Sequence, residues 1–255
     1  MIVVGVSGKK QSGKTSLCNY LQAWYIKQYH DSNFTFSQND DGTISFYDEN
    51  RIQIEMRKYD KPVCKIYAFA DALKEFLMNT MELTYEQCYG TESQKNSLTE
   101  YKWDKLPINI RKNYQIPKRE GGPAIQPTLR RGRMTAREVL QIFGTDICRK
   151  MFDENIWVNA TLKRMKSDGV QLALVSDLRF KSEIKSIVSN DGYLIRLIRN
   201  VAGKDSHPSE VDLDKFDWNT YKTRTLMIDN HEMSIHDKNQ PAVDWLERII
   251  DATEC

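Results

Sequence analysis

The chain has 255 residues, of which 40% are hydrophobic and 28% charged, and its mean hydropathy is −0.61. This composition is globular and excludes a disordered, collagen-like or low-complexity chain. No apolar run approaches the roughly 18 residues that a membrane helix needs, so no membrane partner is expected. The formal net charge of +2 is small and disfavours nucleic acid as a partner.

The cysteines indicate a reducing compartment. Their number is odd, their spacing is wide and no CxxC pair occurs, which argues against a disulfide framework or a zinc site. The first residues lack the basic region and the cleavage site of a signal peptide. We therefore expect a cytoplasmic protein.

The amino-terminal part of the chain alternates strand and helix patterns. A β-branched run over residues 2–6 predicts a buried strand, and apolar residues at helical spacing over 15–29 predict a helix. Within residues 31–62, alternating residues around an Asp-Gly pair predict a hairpin. Residues 63–69 and 71–81 then predict another core strand and another helix.

Residues 84–135 are rich in proline, glycine and basic side chains and predict an insertion or lid outside the core. Thr135 begins the next predicted helix, with Glu138 completing a capping box. That helix should end at Gly144, a residue type common just after the last helical turn.

The remaining chain continues the alternation. Helices are predicted over 155–166, 182–188 and 242–250, and strands over 171–176, 193–198 and 225–228. This order predicts an α/β fold, in which a parallel sheet has helices on both faces. We expect one domain over 1–255, with a hairpin insertion at 31–62 and a basic lid or acceptor-binding insertion at 84–135.

The strongest local motif is Gly8-Lys-Lys-Gln-Ser-Gly-Lys-Thr15, which fits the pattern GxxxxGK[ST] of a phosphate-binding loop. It follows a predicted strand and opens a predicted helix, as that motif requires. Main-chain amides and Lys14 should contact phosphate oxygens, and the Thr15 hydroxyl should bind magnesium. The predicted ATP-binding residues are Gly8, Lys9, Ser12, Gly13, Lys14, Thr15 and Ser16. A surface turn rich in glycine and lysine is the alternative.

Three further segments accompany this loop. The first begins at Ala68 as FA-x-x-LK, the second begins at Arg137 as R-x-x-LQ-x-x-GT, and the third begins at Asp177 as D-x-R-F-x-x-E. In this order and with the loop, they resemble the deoxynucleoside monophosphate kinases of the phage type. The resemblance covers most of the chain up to about residue 199, and residues 205–210 also look like the family.

This resemblance implies a P-loop kinase fold and transfer of the ATP γ-phosphate to a deoxynucleoside monophosphate, with Mg²⁺ and ATP as cofactor and co-substrate. It implies an origin in a phage, and hence the host cytoplasm, and leaves a homodimer open. An acceptor phosphate carries about two negative charges and calls for guanidinium groups. Arg137 and Arg179 meet this need, and together with Lys14 of the phosphate-binding loop they are the predicted catalytic residues. The predicted acceptor-binding residues are Asp71, Lys74, Arg137, Gln141, Gly144, Thr145, Arg149, Trp157, Asp177, Arg179 and Glu183.

Several of these residues have structural alternatives. Asp177 could hold a magnesium water, orient Arg179 or the sugar, or cap the following helix. Glu183 could bond a base edge, fix an arginine, or form an ordinary surface pair with Arg179. Trp157 could stack on a base or pack in the core.

Other features are weaker. His231 and His236 lie five residues apart but lack further metal ligands at diagnostic spacing. We assign His207 no chemistry. The basic tract over 102–133 could be a lid, a nucleic-acid contact suggested by the interleaved Tyr101, Trp103 and Tyr114, or a solvated loop. The rival functions are a P-loop kinase of another small acceptor and an ATPase stimulated by nucleic acid.

Overall fold

The computed structural model describes residues 1–9, 11–31, 33–55, 63–114, 129–199 and 212–254. The segment 205–210, with His207, and the middle of the basic tract lie outside the described residues. The chain divides into two compact units, which we call the sheet unit (Met1–Phe69 and Val158–Cys255) and the inserted unit (Ala70–Trp157). The expectation of one domain with two insertions stays a prediction.

The strands are β1 (Ile2–Ser7), β2 (Thr35–Gln38), β3 (Ile44–Tyr47), β4 (Gln53–Ile54), β5 (Cys64–Tyr67), β6 (Leu98–Lys102), β7 (Arg133–Thr135), β8 (Leu172–Leu178), β9 (Tyr193–Ile198) and β10 (Thr225–Asp229). The α-helices are α1 (Lys14–Tyr29), α2 (Phe69–Met81), α3 (Tyr85–Tyr89), α4 (Glu92–Lys95), α5 (Ile108–Lys112), α6 (Ala136–Gln141), α7 (Ile156–Asp168), α8 (Lys181–Ser189) and α9 (Asn239–Glu254). No helix among the described residues is long and apolar enough to cross a membrane.

The sheet unit is built on a five-stranded parallel sheet in the order β10-β9-β1-β8-β5. Strand β1 lies at its centre and pairs Ile2 with Leu172 of β8 and Ser7 with Arg196 of β9. The predicted parallel α/β sheet is therefore confirmed. Because parallel strands all end at the same edge, the loop after β1 lies beside the ends of β8 and β9.

Helices cover both faces of this sheet, as predicted. Val4 and Leu174 pack on one face against side chains of α1 and α9, including Leu17 and Leu246. The alternate strand positions, such as Val175, pack on the other face against α7 and α8. Strands buried on both faces explain why their sequences are continuously apolar rather than alternating.

The predicted hairpin in residues 31–62 is confirmed and extended by a third strand. Strands β2 and β3 are antiparallel, with Gly42 at the turn in a left-handed conformation (φ +86°), and the short β4 pairs with β3. Phe34 and Phe46 pack against the core shared with α1. The turn itself lies against the amino-terminal part of α1, where Asn19 donates to the Gly42 carbonyl oxygen at 3.1 Å.

The inserted unit has its own apolar core, centred on Leu77, Trp103 and Ile142. Its two-stranded sheet pairs Leu98 of β6 with Thr135 of β7 in antiparallel fashion. The described parts of residues 84–135 thus contain short helices and strands, and these were not predicted from the sequence.

The predicted capping box at Thr135 is confirmed. The Thr135 hydroxyl accepts from the Glu138 amide at 3.2 Å, and the Glu138 carboxylate accepts from the Thr135 amide at 2.9 Å. The predicted end of this helix at Gly144 is wrong, because α6 continues directly into a π-helix over Ile142–Phe152. Gly144 is needed instead for close packing, since a Cβ there would lie 2.4 Å from Cδ2 of Leu73.

We predict that Gly42→Ala destabilises the protein more than Gly169→Ala does. Both glycines have positive φ, which costs a substituted residue about 1–2 kcal/mol. A Cβ on Gly42 would also lie 2.5 Å from Cβ of Ser16, whereas a Cβ on Gly169 meets nothing within 4 Å. The overpacking should add about 1–3 kcal/mol.

The free energies of unfolding of the two variants in urea measure this difference. An equal decrease in the free energy of unfolding of the two variants would contradict the prediction, because it would show that the hairpin turn does not pack closely against α1.

Candidate functional site

The motif Gly8–Thr15 forms the predicted loop between β1 and α1. Gln11 and Gly13 adopt left-handed conformations, with φ of +61° and +87°, which turn the main chain sharply before the helix begins. Lys14 folds back over this loop, and its Nζ donates to the carbonyl oxygens of Gly8 and Lys9 at 2.8 Å each. Thr15 lies exposed at the start of α1.

Lys14 lies in a strongly positive environment. Its pKa is lowered to about 8, first by burial and then by Arg179 and Arg196, while Asp177 opposes the shift. The ammonium group is therefore held close to two guanidinium groups and one carboxylate. An anion bound here would be attracted by all three cations.

Arg196 was missed by the sequence analysis. It lies on β9 opposite Ser7, whose Oγ accepts from its Nη1 at 3.0 Å, and its guanidinium lies 5.0 Å from the ring centroid of Trp218. Within the described chain, Ser7 and Trp218 thus fix an arginine at the edge of the sheet where the phosphate-binding loop begins. The sequence feature that could have identified it is the occurrence of an arginine within the otherwise apolar strand YLIRLI.

Asp177 and Glu183 hold main-chain amides. The Asp177 carboxylate accepts from the Phe69 amide at 2.8 Å and so caps the start of α2. Glu183 is 3% exposed and accepts from the amides of Arg179 and Phe180 at 2.7 and 2.9 Å. Of the alternatives left open, the one with direct support is that Glu183 fixes the backbone of Arg179.

A cavity of about 500 Å³ opens beside the phosphate-binding loop. Three parts of the sheet unit form its walls: the loop and the start of α1, the hairpin turn, and the segment after β10. The lining residues outside Gln11–Ser16 are Asp40, Asp41, Arg199, Asn230, Met233, Ser234, Ile235 and Lys238. The sequence analysis singled out none of these lining residues.

Buried amide side chains hold these walls together. Asn230 Nδ2 donates to the carbonyl oxygen of Ser12 at 2.9 Å. Gln38 Nε2 donates to the carbonyl oxygen of Ser16 at 2.6 Å, and Asn239 Nδ2 donates to Gln38 Oε1 at 2.7 Å. The hairpin, the loop and the start of α9 are therefore connected directly.

Part of the predicted acceptor site lies in the inserted unit as a cluster on α2 and α3. The Tyr89 hydroxyl donates to Asp71 at 3.1 Å, and Lys74 Nζ lies 3.9 Å from the same carboxylate. The Lys74 ammonium also lies 4.1 Å from the centroid of the Tyr89 ring. These three side chains form one group that carries an ammonium, a carboxylate and a phenol hydroxyl.

Arg137 lies on α6 and forms an ion pair with Glu92 of α4 at 2.8 Å. Its Nε is buried and has no hydrogen-bond partner among the described residues. Gln141 is the last residue of the same helix. Arg137 is thus held by a carboxylate that an acceptor phosphate could replace.

The π-helix carries Gly144, Thr145 and Arg149, and Arg149 is buried. Trp157 follows this helix, packs against the core of the inserted unit and donates from Nε1 to the Gly144 carbonyl oxygen at 3.0 Å. This contact favours the core alternative for Trp157, although a base-stacking role stays a prediction.

Two weaker sequence features gain no support. No group of three or more His, Cys, Asp or Glu side chains that could hold a metal occurs in the part of the chain that the structure describes. In the basic tract, Trp103 is buried, and the Tyr114 hydroxyl donates to Asp146. These two aromatic rings pack inside the inserted unit rather than presenting a stacking surface to nucleic acid.

The sheet unit therefore brings together the phosphate-binding loop, Asp177, Arg179 and Glu183. Lys9 lies in the same loop, where it forms an ion pair with Asp214. The remaining predicted residues lie in the inserted unit. They form the Asp71–Lys74 group, the Arg137–Glu92 pair and the π-helix group.

Comparison with known proteins gives two similarities. Residues 124–230 match the model of a family described as deoxynucleotide monophosphate kinase. The chain is also 25% identical over 225 residues to a protein of Acanthamoeba polyphaga mimivirus named "Putative deoxynucleotide monophosphate kinase". That similarity covers 84% of this chain and 82% of the viral protein.

The family match contains the segments that begin at Arg137 and Asp177, and it excludes the phosphate-binding loop. The phosphate-binding loop, which lies between a strand and a helix, is therefore evidence for the function that does not depend on the family match. The two similarities support the resemblance that the sequence motifs carry, since residues 124–230 are similar to the deoxynucleotide monophosphate kinase family.

Proposed function

We propose that the protein transfers the γ-phosphate of ATP to a deoxynucleoside 5′-monophosphate, giving ADP and a deoxynucleoside diphosphate. The observation that carries this proposal is the grouping of Lys14, Arg179 and Arg196 at the edge of the sheet where the phosphate-binding loop begins. The family match supports a phosphate acceptor rather than an alcohol.

Phosphoryl transfer needs positioning and charge neutralisation more than covalent help from the protein. Lys14 and the loop amides would hold the phosphates of ATP, and Arg179 and Arg196 would stabilise the charge that spreads over the transferred group. Asp177 would keep Lys14 and Arg179 in place without itself contacting phosphate. The acceptor is already ionised, so no general base is required.

Mg²⁺ fits this site as a partner of the nucleotide. Thr15 offers an exposed hydroxyl in the cavity wall, and the described residues hold no metal-binding cluster of carboxylates. Phosphate oxygens and water would complete the oxygen coordination that Mg²⁺ prefers. Magnesium would supply neutralisation of the polyphosphate charge. In this proposal Asp177 contributes to the metal through water, which is one of the alternatives that the sequence left open.

We propose that Arg137, Lys74 and Arg149 bind the acceptor, together with Asp71, Gln141 and Thr145. All belong to the inserted unit, and the Arg137 guanidinium can exchange its contact with Glu92 for a charge-assisted contact with a phosphate. We also propose that the enzyme acts in the host cytoplasm. A homodimer stays a prediction.

The rival ATPase function loses part of its support, because Trp103 and Tyr114, two of the three interleaved aromatic residues, pack inside the inserted unit. A kinase of another small acceptor remains the alternative that the experiment has to exclude.

The test is a coupled assay of ADP release with Mg-ATP and each deoxynucleoside monophosphate in turn, followed by the ribonucleotides. We expect ADP release that depends on a deoxynucleoside monophosphate. Lys14→Ala should lower the rate at least about a hundredfold, because a donor that stabilises transition-state charge is lost. Release that needs a different acceptor, or that needs polynucleotide, would contradict the proposal.

We predict that Arg137→Ala raises the KM for the acceptor at least about tenfold, since a charge-assisted hydrogen bond to phosphate is lost. The KM for ATP should stay within about twofold of its original value. Arg133→Ala is the matched control, because Arg133 lies on β7, four residues before Arg137, but is exposed and pairs with Glu100. Equal effects of the two substitutions would show that Arg137 does not contact the acceptor.

The lowered pKa of Lys14 predicts how ADP binding depends on pH. Lys14 is charged below about pH 8 and loses its proton above it, so ADP affinity should fall as the pH rises from 8 to 9.5. The Cys18 thiol stays neutral in this range because burial raises its pKa to about 12. Calorimetric titration measures the trend. Lys14→Met should bind more weakly with a shallower pH dependence, whereas an affinity that stays constant to pH 9.5 would contradict the prediction.

A further inference from the structure

Lys238 is a buried lysine in the wall of the cavity beside the phosphate-binding loop. It immediately precedes α9 and is only 2% exposed. Its ammonium donates to the Ile235 carbonyl oxygen, three residues before it in the chain. Among the described residues, no carboxylate forms an ion pair with it.

The stem of Lys238 lies directly against the phosphate-binding loop. A Cβ placed on Gly13 would lie 3.1 Å from Cε of Lys238 and 3.7 Å from its Cδ. Gly13 immediately precedes Lys14, so the two lysines approach the loop from different segments of the sheet unit. The absence of a side chain at Gly13 is what lets Lys238 come this close.

A buried cation without a carboxylate partner is costly, and such groups are retained where a ligand supplies the missing charge. The pKa of Lys238 is lowered to about 8, first by burial and then by Arg199, while Asp237 opposes the shift. Arg199 lines the same cavity, so the wall carries two cations in addition to Lys14.

The carboxylates near Lys238 do not remove this excess charge. Asp237 is exposed and accepts from the Ser234 amide at 2.9 Å, and Asp41 accepts from the Thr43 amide at 2.9 Å. Asp40 lines the cavity from the hairpin turn and is exposed. The buried charge at the loop is therefore positive, which suits a polyphosphate.

We propose that Lys238 is a second polyphosphate-binding lysine, which contacts the phosphates of the donor nucleotide together with Lys14. This inference rests on the proposed function, because it assumes that the loop holds the donor. It adds a residue from the segment after β10, outside the phosphate-binding motif. Lys238 would bind the donor and need not act in the transfer step.

The experiment measures binding of ADP and of inorganic pyrophosphate, each with Mg²⁺ and without acceptor, by calorimetry at pH 7.5. Lys238→Met keeps the length and apolar stem of the side chain and removes its charge. We expect affinity for both ligands to fall at least about tenfold, as for loss of a charged hydrogen bond. Lys166→Met is the control, because Lys166 is an exposed lysine on α7 that does not line the cavity.

A merely structural role for Lys238 predicts a different pattern. Lys238→Met would then lower the melting temperature without ligand and leave the ligand-induced rise unchanged. We expect the opposite result. The unliganded Lys238→Met variant should have a melting temperature no lower than that of the original protein, and ADP should raise that temperature by less than it does in the original. Lys238→Gln serves as a second variant if the methionine variant does not fold.

Proton uptake by the original protein gives a measurement that needs no variant. One lysine can take up at most one proton when ADP binds at pH 8.5. An uptake of more than one proton per ADP, measured by calorimetric titration in two buffers, therefore requires a second titrating group. The inference is overturned if Lys238→Met and Lys238→Gln bind both ligands within about twofold of the original while Lys14→Ala does not. If the original protein binds neither ligand, the proposed function fails as well.

Discussion

The positive charges gathered around Lys14 repel one another, and much of the sheet unit serves to hold them in place. Burial strengthens this repulsion, because charges away from water are screened less. The pKa of Lys14 is lowered by burial and by its two arginine neighbours, which expresses the same cost. Asp177 opposes part of this cost, and a bound polyphosphate would offset more of it.

Each cation in this group has its own support. Lys14 is held by two carbonyl oxygens of its own loop, and Arg196 by Ser7 and the ring of Trp218. Arg179 is positioned indirectly, since Glu183 binds its main-chain amide. These contacts orient the three cationic side chains around the start of the phosphate-binding loop.

In the inserted unit, by contrast, several cationic side chains lie beside carboxylates. Arg137 pairs with Glu92, Lys74 lies near Asp71, and Arg130 pairs with Glu138. A phosphate that binds Arg137 must therefore displace a carboxylate, whereas one that binds Lys14 displaces only carbonyl contacts. The first exchange gives up one ion pair to make another and should add less net affinity.

Local sequence signals predicted much of this structure. The strand–loop–helix at Gly8–Thr15, the hairpin at Gly42 and the capping box at Thr135 each depend on residues close together in the chain, so their chemistry can be read directly. The α/β class followed from the alternation of such elements.

Long-range contacts could not be read in the same way. Asp177 caps α2, which begins more than a hundred residues earlier, and Asn230 bonds to Ser12 across most of the chain. Arg196 is placed by strand order, which the sequence of β9 alone does not contain. The site roles of the residues in the inserted unit remain predictions, although their local contacts are now defined.

The π-helix over Ile142–Phe152 makes this part of the chain sensitive to length. In an α-helix each residue advances the helix by about 100°, so removing one residue rotates everything beyond it by about that angle. A π-helix already contains more residues per turn than an α-helix, and a deletion would let it relax to the commoner geometry. Arg149 and Trp157 would then face new directions relative to Gly144. Homologues that differ in length should therefore gain or lose residues in surface turns rather than within this segment.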